Sequence, residues 1–254
     1  MLEKAFVKEL RELSRSSNLR HEHRLVLVEG YRAIAGAIDF GAQIEEIYYS
    51  SSDKIYLFKN IASEKMIKVN DKIISQIATT KNPQSIIALC KMPISTPNSL
   101  STGDHKNKPI FILDNLTDPG NVGTIIRSAA AFGFGGIVVL GGVDPFNTKV
   151  IRSSAGTIFG IEIVIADEYQ LVEILKTRPL YATRADADLE LNEVDFATNA
   201  AFVLGNEAHG IKGEFFKNNA TPLRVNMEEL CESLNVSMLA TIVAHRIFSV
   251  KVKI

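Results

Sequence analysis

The chain has few cysteines, almost no net charge and no long apolar run. Its two cysteines, Cys90 and Cys231, lie in what we predict to be different domains, so we expect reduced thiols, which suit the cytoplasm, and no disulfide framework. Lysine and arginine number 28 against 29 acidic residues, which excludes a generally basic nucleic-acid coat but leaves room for a local basic face. No segment approaches about 18 uninterrupted apolar residues, so we expect no membrane span.

Targeting and metal-binding patterns are absent as well. The N-terminal residues alternate charged and apolar side chains without the continuous apolar core of a signal peptide, a pattern that predicts an amphipathic helix. His21 and His23 could suggest a metal site, but no cysteine or second histidine pair at ligand spacing accompanies them, so we expect no metal. The hydrophobic content of 46% is nevertheless enough for real cores, in one large domain or two ordinary ones.

Residues 110–140 carry the densest set of structural signals. The apolar run 110–113 ends in turn-forming residues and predicts a buried strand of a parallel sheet. Asp118 or Asn121 can cap the helix that follows. Four apolar residues recur on that helix at helical spacing: Val122, Ile125, Ile126 and Ala129. Arg127 lies away from this stripe, so we expect its guanidinium to face outward near a strand's carboxyl end, where open α/β sheets bind ligands.

Two later stretches repeat this layout of an apolar strand followed by a polar loop. They are FVLGNEAHG at 202–210 and LRVNMEELCESLNVS at 223–237. With the first stretch they form three ordered blocks that resemble the motifs of the SpoU-type RNA 2′-O-ribose methyltransferases of the SPOUT superfamily. The matching runs are N-x-G-x-x-x-R from Asn121 to Arg127, G-x-E-x-x-G from Gly205 to Gly210, and S-L-N-V-S at 233–237.

An α/β fold is expected for residues 109–254. Strand-like and helical segments alternate there, which predicts a parallel sheet with helices on both faces. The predicted strands lie at 110–113, 136–140, 161–165, 180–183, 201–204 and 223–225. The resemblance implies that this part is a SPOUT catalytic domain whose chain is threaded into a trefoil knot near the C-terminus.

Residues 1–92 are predicted to form a smaller α/β domain. Its predicted strands lie at 25–28, 44–49, 67–69 and 86–89. The runs RLVLVEGYR, from Arg24, and KNPQSIIAL, from Lys81, resemble the start and the end of the ribosomal-protein-like RNA substrate-binding domain that is often joined to SpoU-type enzymes. Residues 93–108 collect Pro, Ser, Thr, Asn and Gly without periodicity, which predicts a linker between the two domains.

The resemblance also implies a cofactor, S-adenosylmethionine, cradled in the knot by the second and third blocks. The implied cofactor-binding residues are Leu204, Gly205, Asn206, Gly210, Val225, Met227, Ser233 and Leu234. The implied catalytic residues are Asn121, Arg127, Glu207, Ser233 and Asn235. Taken singly, these residue types have simpler explanations, because Gly makes turns, Ser and Asn cap helices, and a loop Glu is usually solvated.

RNA is the implied substrate. Arg20, Arg24 and Arg32 belong to the densest cationic cluster of the chain, which can hold phosphates without reading bases or can be a solvated surface. The added domain favours ribosomal RNA, while transfer RNA and the target nucleotide stay open. The resemblance makes Arg127 the residue that helps to activate the ribose hydroxyl. Because a guanidinium hardly deprotonates in proteins, we interpret Arg127 as a phosphate clamp rather than a base.

Two alternatives compete with this reading of the motifs. The family usually has P-M-x-G before S-L-N-V-S, whereas this chain has NMEE at 226–229, so an RNA-binding protein with a decayed cofactor site is one alternative. The other is a dinucleotide-dependent oxidoreductase, since Asp144 follows at about the distance of a ribose-binding acid. Gly120 and Gly123 do not complete G-x-G-x-x-G, and no G-K-[ST] loop occurs, which disfavours the oxidoreductase.

The final helix indicates how the chain assembles. Its apolar residues at helical spacing are Leu239, Ile242, Val243, Ile247 and Val250. Ala240 and Ala244 form a second face of small residues, and since the sheet can cover only one face, we expect this one to meet a partner subunit. The resemblance agrees, because SpoU-type enzymes are homodimers whose active sites lie at the subunit interface.

Overall fold

The computed structural model describes residues 4–228, 230 and 233–251, over which helices and strands alternate. In chain order the elements are α1 Lys4–Arg15, α2 Ser17–His23, β1 Leu25–Glu29, α3 Tyr31–Asp39, β2 Ile44–Tyr49, β3 Met66–Lys68, α4 Asp71–Ile77, β4 Ile86–Lys91, β5 Ile110–Asp114, α5 Pro119–Ala131, β6 Gly136–Leu140, α6 Thr148–Ser153, β7 Glu162–Ile165, α7 Glu168–Leu175, β8 Leu180–Thr183, β9 Ala201–Gly205, α8 Glu214–Asn219, β10 Thr221–Leu223 and α9 Val236–Lys251. Short 3₁₀ helices lie at Ile55–Phe58, Ser63–Lys65, Pro97–Leu100, Gly103–Asn107, Thr157–Gly160 and Leu191–Glu193.

The chain forms two compact units, and one segment belongs to a different unit from the one its sequence position indicates. The first unit comprises Met1–Ile94 and Asp144–Gly160, and the second comprises Ser95–Val143 and Ile161–Ile254. Within the first unit, a Cβ added at Gly36 would lie 2.0 Å from the carbonyl oxygen of Ala155. Only glycine therefore permits α3 to approach the inserted segment this closely.

The first unit is built on a sheet of order β1-β4-β2-β3. The pairs β1·β4 and β2·β4 are antiparallel, and β2·β3 is parallel. The amphipathic helix predicted at the N-terminus is confirmed as α1, which buries Leu10 and Leu13 in one core with Leu27 and Leu89 of the sheet. The four strands predicted for this part of the chain all form.

The second unit contains a six-stranded sheet of order β10-β8-β9-β5-β6-β7, in which every pair is parallel. This confirms the predicted parallel α/β fold, with one shift, because the last strand is Thr221–Leu223 rather than 223–225. The central strands are buried along their length, including Ile112, Val138 and Val203, each 0% exposed. Such continuous burial is why these strands are uniformly apolar rather than alternating.

The residues after Ile94, which the sequence assigns to a linker, pack into the second unit. Leu100 is 0% exposed and lies in the same core as β5. The buried guanidinium of Arg178 donates to the carbonyl oxygens of Leu100 at 2.6 Å, Lys108 at 2.7 Å and His105 at 3.0 Å. Burial lowers the pKa of Arg178 to about 10, so the side chain stays charged at neutral pH and fastens this segment to the sheet through carbonyl dipoles.

The two faces of α9 differ from the sequence expectation. Ala240 and Ala244 are both 0% exposed, because α9 packs on α5 inside the second unit. Exposed apolar side chains lie elsewhere on the helix, at Met238, Ile242 and Phe248. The expectation that the small-residue face meets a partner is therefore wrong. Helical spacing defines two faces but does not tell which of them the rest of the chain covers.

Across the described part of the chain, no helix combines the length and the apolar character that crossing a membrane requires. The cytoplasmic location expected from the sequence stays a prediction.

Arg20 is a structural residue of the first unit and not a surface cation. It is 1% exposed, and its Nε and Nη2 donate to Asp144 Oδ2 at 3.0 and 2.5 Å, while Nη1 donates to the Leu13 carbonyl at 3.0 Å. The assignment of Arg20 to RNA binding is therefore wrong, whereas Arg24 and Arg32 are exposed. The same ion pair occupies Asp144, the acid on which the oxidoreductase alternative depends.

The Asp144–Arg20 pair makes the stability of the protein pH-dependent. Burial alone would raise the pKa of Asp144, but hydrogen bonds from Arg20 and from the Phe146 N–H outweigh burial and hold the pKa below its ordinary value of 3.8. A carboxylate whose folded pKa is lowered stabilises the fold above its unfolded pKa, and this contribution is lost as the pH falls through the folded value.

We predict that Asp144→Asn lowers the free energy of unfolding by about 3 kcal/mol at neutral pH, because it leaves the buried Arg20 guanidinium unpaired. The difference from the wild type should shrink as the pH falls below 3.8, since the wild-type carboxyl is then protonated too. Urea unfolding followed by circular dichroism measures both effects. Asp186→Asn, which removes an exposed pair with Arg184, is the matched control and should change stability little. A difference that does not vary with pH would contradict this account.

Candidate active site and cofactor pocket

The site is organised by the register of two neighbouring strands. β5 and β9 pair in parallel with Asp114 opposite Gly205, so the loops that follow them leave the sheet at the same level. The strand order also changes direction here, since the chain runs from β5 to β6 on one side while β9 lies on the other. Such a switch point, outside the carboxyl ends of parallel strands, is the usual ligand site of an open α/β sheet.

α5 begins at this edge of the sheet. Asp118 caps it, because its Oδ1 accepts the backbone N–H of Asn121 at 2.9 Å, and Pro119 is its first residue. The predicted stripe of α5 is buried, while Arg127 is exposed as expected. The side chain of Arg127 makes no hydrogen bond or ion pair with another described residue. Its guanidinium is therefore available to a ligand.

Three of the predicted catalytic residues form a continuous hydrogen-bonded chain. Asn121 Nδ2 donates to Glu207 Oε1 at 2.8 Å, and Asn235 Nδ2 donates to Asn121 Oδ1 at 3.0 Å. Asn235 also caps α9, since its Oδ1 accepts the Ser237 N–H at 2.9 Å and the Ser237 hydroxyl at 2.6 Å. The side chain of Asn235 thus caps α9, as expected, and also joins this hydrogen-bonded chain.

A cavity of about 340 Å³ lies beside this chain, within the range of small-molecule sites. Seven of the eight residues predicted to bind the cofactor line it: Gly205, Asn206, Gly210, Val225, Met227, Ser233 and Leu234. The eighth, Leu204, does not, because its side chain points into the core and is 0% exposed. Glu207 and Asn235 also line the cavity, so the hydrogen-bonded chain and the cavity form one site.

The loop after β9 is held in a tight shape. Asn206 and Gly210 exchange two backbone hydrogen bonds, at 2.9 and 2.8 Å, and the Asn206 side-chain oxygen accepts the N–H groups of Ala208 and His209. A Cβ added at Gly205 would lie 2.4 Å from the carbonyl carbon of Gly210, and Gly210 itself has φ +65°. Both glycines are therefore required by the turn, which leaves Glu207 at its tip.

Asp114, which the sequence analysis does not single out, fastens the far end of this loop. It is 3% exposed, and its Oδ2 accepts the N–H groups of Lys212 at 2.7 Å and Gly213 at 3.2 Å. Next to it, the Asn115 carbonyl accepts the Asn206 Nδ2 at 2.8 Å. The sequence contains a signal for this role, an acidic residue at the end of an otherwise apolar strand, because a buried carboxylate requires hydrogen-bond donors.

The third block is held by a residue that the sequence analysis also missed. Glu190 accepts the Arg224 Nη2 through Oε1 at 2.9 Å and the Asn226 Nδ2 through Oε2. Ser233 is exposed at the cavity. Glu229 and Cys231, which also belong to this block, lie outside the described residues.

Arg24 and Arg32, the exposed arginines predicted to bind RNA, are residues of the first unit, whereas the residues that line the cavity belong to the second. Among residues 4–228, 230 and 233–251, no group of three or more His, Cys, Asp or Glu side chains could hold a metal ion.

Comparison with known proteins defines the class of this site. Residues 108–245, more than half of the chain, match the SpoU rRNA Methylase family, and the chain belongs to that family. Residues 4–88 match the MRM3-like substrate binding domain.

Particular members of the class resemble the chain over most of its length. It is 28% identical over 224 residues to the 23S rRNA (guanosine(2553)-2'-O)-methyltransferase RlmP of Bacillus subtilis, with 87% of each chain covered. The AdoMet-bound rRNA methyltransferase of Sinorhizobium meliloti has a crystal structure that matches with a TM-score of 0.82 and 25% identity, over 97% of this chain and 95% of that one. The SpoU methyltransferase AviRb of Streptomyces viridochromogenes shares the fold with a TM-score of 0.86 at 22% identity, over 98% of each chain.

We predict that Asp114→Ala loosens the loop after β9. Without the carboxylate, the N–H groups of Lys212 and Gly213 lose their acceptor, so their amide hydrogen exchange should speed up by about tenfold. Asp167→Ala is the control, because it removes a helix cap of about 1 kcal/mol from α7 without touching the loop. Equal acceleration at the two amides in both variants would mean that the effect is global and that Asp114 does not hold the loop.

Proposed function

We propose that the protein is an S-adenosylmethionine-dependent 2′-O-ribose methyltransferase that acts on ribosomal RNA. The observation that carries the proposal is the hydrogen-bonded chain from Glu207 through Asn121 to Asn235 along the wall of the cavity. It joins all three sequence blocks in one site. The names of relatives support the substrate and the cofactor, since the Bacillus subtilis relative is a 23S rRNA 2'-O-methyltransferase and the Sinorhizobium meliloti structure contains AdoMet.

The cavity fits the proposed cofactor in chemistry. Gly205 and Gly210 have no side chains, so their backbone can contact a flat ring of the cofactor. The apolar side chains of Val225, Met227 and Leu234 line the wall of the cavity. Glu207 supplies a carboxylate that can accept from hydroxyl or ammonium groups. S-adenosylmethionine supplies a methyl group on a positively charged sulfur, and the task of the chain is to hold that group in line with a ribose hydroxyl.

The other half of the reaction is the handling of RNA. Arg127 is exposed near the carboxyl ends of the strands and has no ion-pair partner among the described residues. Because its guanidinium stays protonated, it binds an RNA phosphate through its planar fork and polarises the 2′-hydroxyl, and it is not the group that accepts the proton. Ser233 and Asn235, at the start of α9, complete the proposed catalytic set.

RNA selection is assigned to the N-terminal part of the chain. We take 1–92 as the ribosomal-protein-like substrate-binding domain, 93–108 as the connecting segment and 109–254 as the catalytic domain. The match of residues 4–88 to the MRM3-like substrate binding domain supports this division. Arg24 and Arg32 are two of its exposed cations and bind phosphates without reading sequence.

The trefoil knot is part of the same proposal. Its support is the hydrogen bonding at both ends of residues 184–191, where the Arg184 N–H donates to the Leu223 carbonyl and the Leu191 N–H donates to the Arg224 carbonyl. The last residue of β10 and the residue after it are thus bound by the two ends of one loop, which supports a crossing of the chain at this loop. Knots are rare among folds, so a trace of the crossing in an experimental structure is the direct test.

We predict that Arg127→Ala and Arg127→Lys both lower methyl transfer to ribosomal RNA by about 100-fold or more while leaving affinity for S-adenosylmethionine unchanged. Lysine does not rescue, because a point charge lacks the bidentate geometry of guanidinium. Transfer of labelled methyl groups to ribosomal RNA and calorimetric titration with the cofactor measure the two effects separately.

Arg11→Lys, a change at an exposed arginine of α1, is the matched control and should leave both unaltered. Near-normal turnover of Arg127→Lys would refute the bidentate clamp. A wild-type protein that binds ribosomal RNA but gives no heat with the cofactor would instead favour an RNA-binding protein with a decayed cofactor site.

We also propose that the protein is a homodimer formed through the exposed apolar side of α9. Met238, Ile242 and Phe248 are 61%, 39% and 40% exposed. Exposed apolar patches mark interaction sites, and closed two-fold dimers are the commonest soluble oligomers. Next to them lies a cavity of about 470 Å³ that includes Ile242 and His245 among its lining residues. A partner that fills this surface would also cover one side of the third block.

We predict that Ile242→Asp converts the protein to a monomer, because it introduces a charge into an apolar interface. Sedimentation equilibrium at micromolar concentration should give twice the chain mass of 27.9 kDa for the wild type and the single mass for the variant. Val172→Asp, at a side chain of similar exposure on α7, is the control and should stay dimeric. A monomeric wild type that methylates RNA would exclude a site that depends on two subunits.

A further inference from the structure

The segment 224–228 forms one wall of the proposed cofactor cavity, yet it lacks the residues that stiffen a loop. Val225 and Met227 line the cavity. Asn226 stands between them, at a position where proline would fix φ. Some other interaction must hold this wall, since an unconstrained loop would have to be ordered each time that a ligand binds.

A single carboxylate supplies that interaction. Glu190 Oε1 accepts from Arg224 Nη2 at 2.9 Å, and Glu190 Oε2 accepts from Asn226 Nδ2. The backbone adds two bonds beside them, from the Arg224 N–H to the Leu189 carbonyl at 2.9 Å and from the Leu191 N–H to the Arg224 carbonyl at 2.8 Å. The side chains of Glu190 and Arg224 are 25% and 39% exposed, so water screens this ion pair only in part.

The spacing of these contacts determines which side chains face the cavity. Alternate residues of an extended segment point to opposite sides, and Arg224 forms a parallel bridge with Glu190. Arg224 and Asn226 therefore turn toward Glu190, while Val225 and Met227 turn toward the cavity. Arg224 Nε is buried without a hydrogen-bond partner, which makes Glu190 the group that compensates this guanidinium.

We propose that Glu190 is a positioning residue of the cofactor site, which fixes Arg224 and Asn226 so that Val225 and Met227 stay in place against the bound cofactor. The inference rests on the proposed function for the identity of the ligand. It also assigns a role to Asn226. The amide of Asn226 attaches this loop to Glu190 at a second point and so restricts a backbone that no proline restricts.

The test uses two nearly isosteric substitutions, Glu190→Gln and Asn226→Asp, which together exchange the carboxylate and the amide between the two positions. Arg224 and Asn226 donate to different oxygens of Glu190, so Glu190→Gln keeps an acceptor for one of them and turns an amide donor toward the other. Asn226→Asp places two carboxylates opposite each other. In the double variant, the amide introduced at position 190 would donate to the carboxylate introduced at position 226 and would accept from Arg224. The net charge of the double variant equals that of the wild type.

We expect each single variant to raise the Kd for S-adenosylmethionine by about tenfold, which corresponds to about 1.4 kcal/mol. The double variant should return to within about twofold of the wild type. Calorimetric titration of the full chain measures the Kd. The rate of methyl transfer at saturating cofactor should change little, so the KM for the cofactor rises while kcat is kept.

The outcomes separate the inference from the proposed function. Single variants that melt at lower temperature but bind the cofactor as the wild type does would overturn the positioning role, and so would a double variant that stays weak. Glu173→Gln, at an exposed pair with Lys176 on α7, is the control and should alter neither property. If the wild type itself does not bind S-adenosylmethionine, the proposed function fails first, and the inference about its cofactor site fails with it.

Discussion

The parallel register of β5 and β9 is the constraint on which the rest of the site depends. Because Asp114 lies opposite Gly205, the loops that follow the two strands start side by side, and Asn121 comes within 2.8 Å of Glu207 although 86 residues separate them. Both strands are buried along nearly their whole length, so their side chains must fit close-packed cores, and this packing fixes the register. The chemistry at the sheet edge is therefore positioned by the core and not by the loops alone.

Burial also distinguishes the arginines of this chain from one another. Arg20 and Arg178 are buried, so each guanidinium needs hydrogen-bond acceptors. Arg20 donates to a carboxylate and a carbonyl, whereas Arg178 donates only to carbonyls. Arg127 and Arg32 are exposed and keep their hydrogen-bonding capacity for a ligand. The same residue type thus has a structural or a functional role according to the element that carries it.

Local patterns predicted most of the strands, the exposure of Arg127 and the three blocks, because strand and helix periodicity and turn chemistry act over a few residues. Most of the misses are long-range. Arg20 resembles a surface cation until its partner, 124 residues away, is known. Asp114 and Glu190 hold loops through residues 98 and 34 positions away, and no periodicity marks such pairs. Likewise, Asp144–Gly160 belongs to the first unit and contacts α3 closely at Gly36. In the sequence, only one glycine in a helix indicates this contact.

The start of α9 determines the polarity of the whole hydrogen-bonded chain. The Ser237 N–H can only donate, so Asn235 must turn its oxygen toward the helix and its amide nitrogen toward Asn121. Asn121 then accepts through its oxygen and donates through its nitrogen, which requires an acceptor at Glu207 Oε1. An ionised carboxylate meets this requirement and leaves its second oxygen able to accept. The site therefore favours ligand groups that donate hydrogen bonds or carry positive charge, and a helix cap 28 residues beyond Glu207 in the sequence imposes that preference.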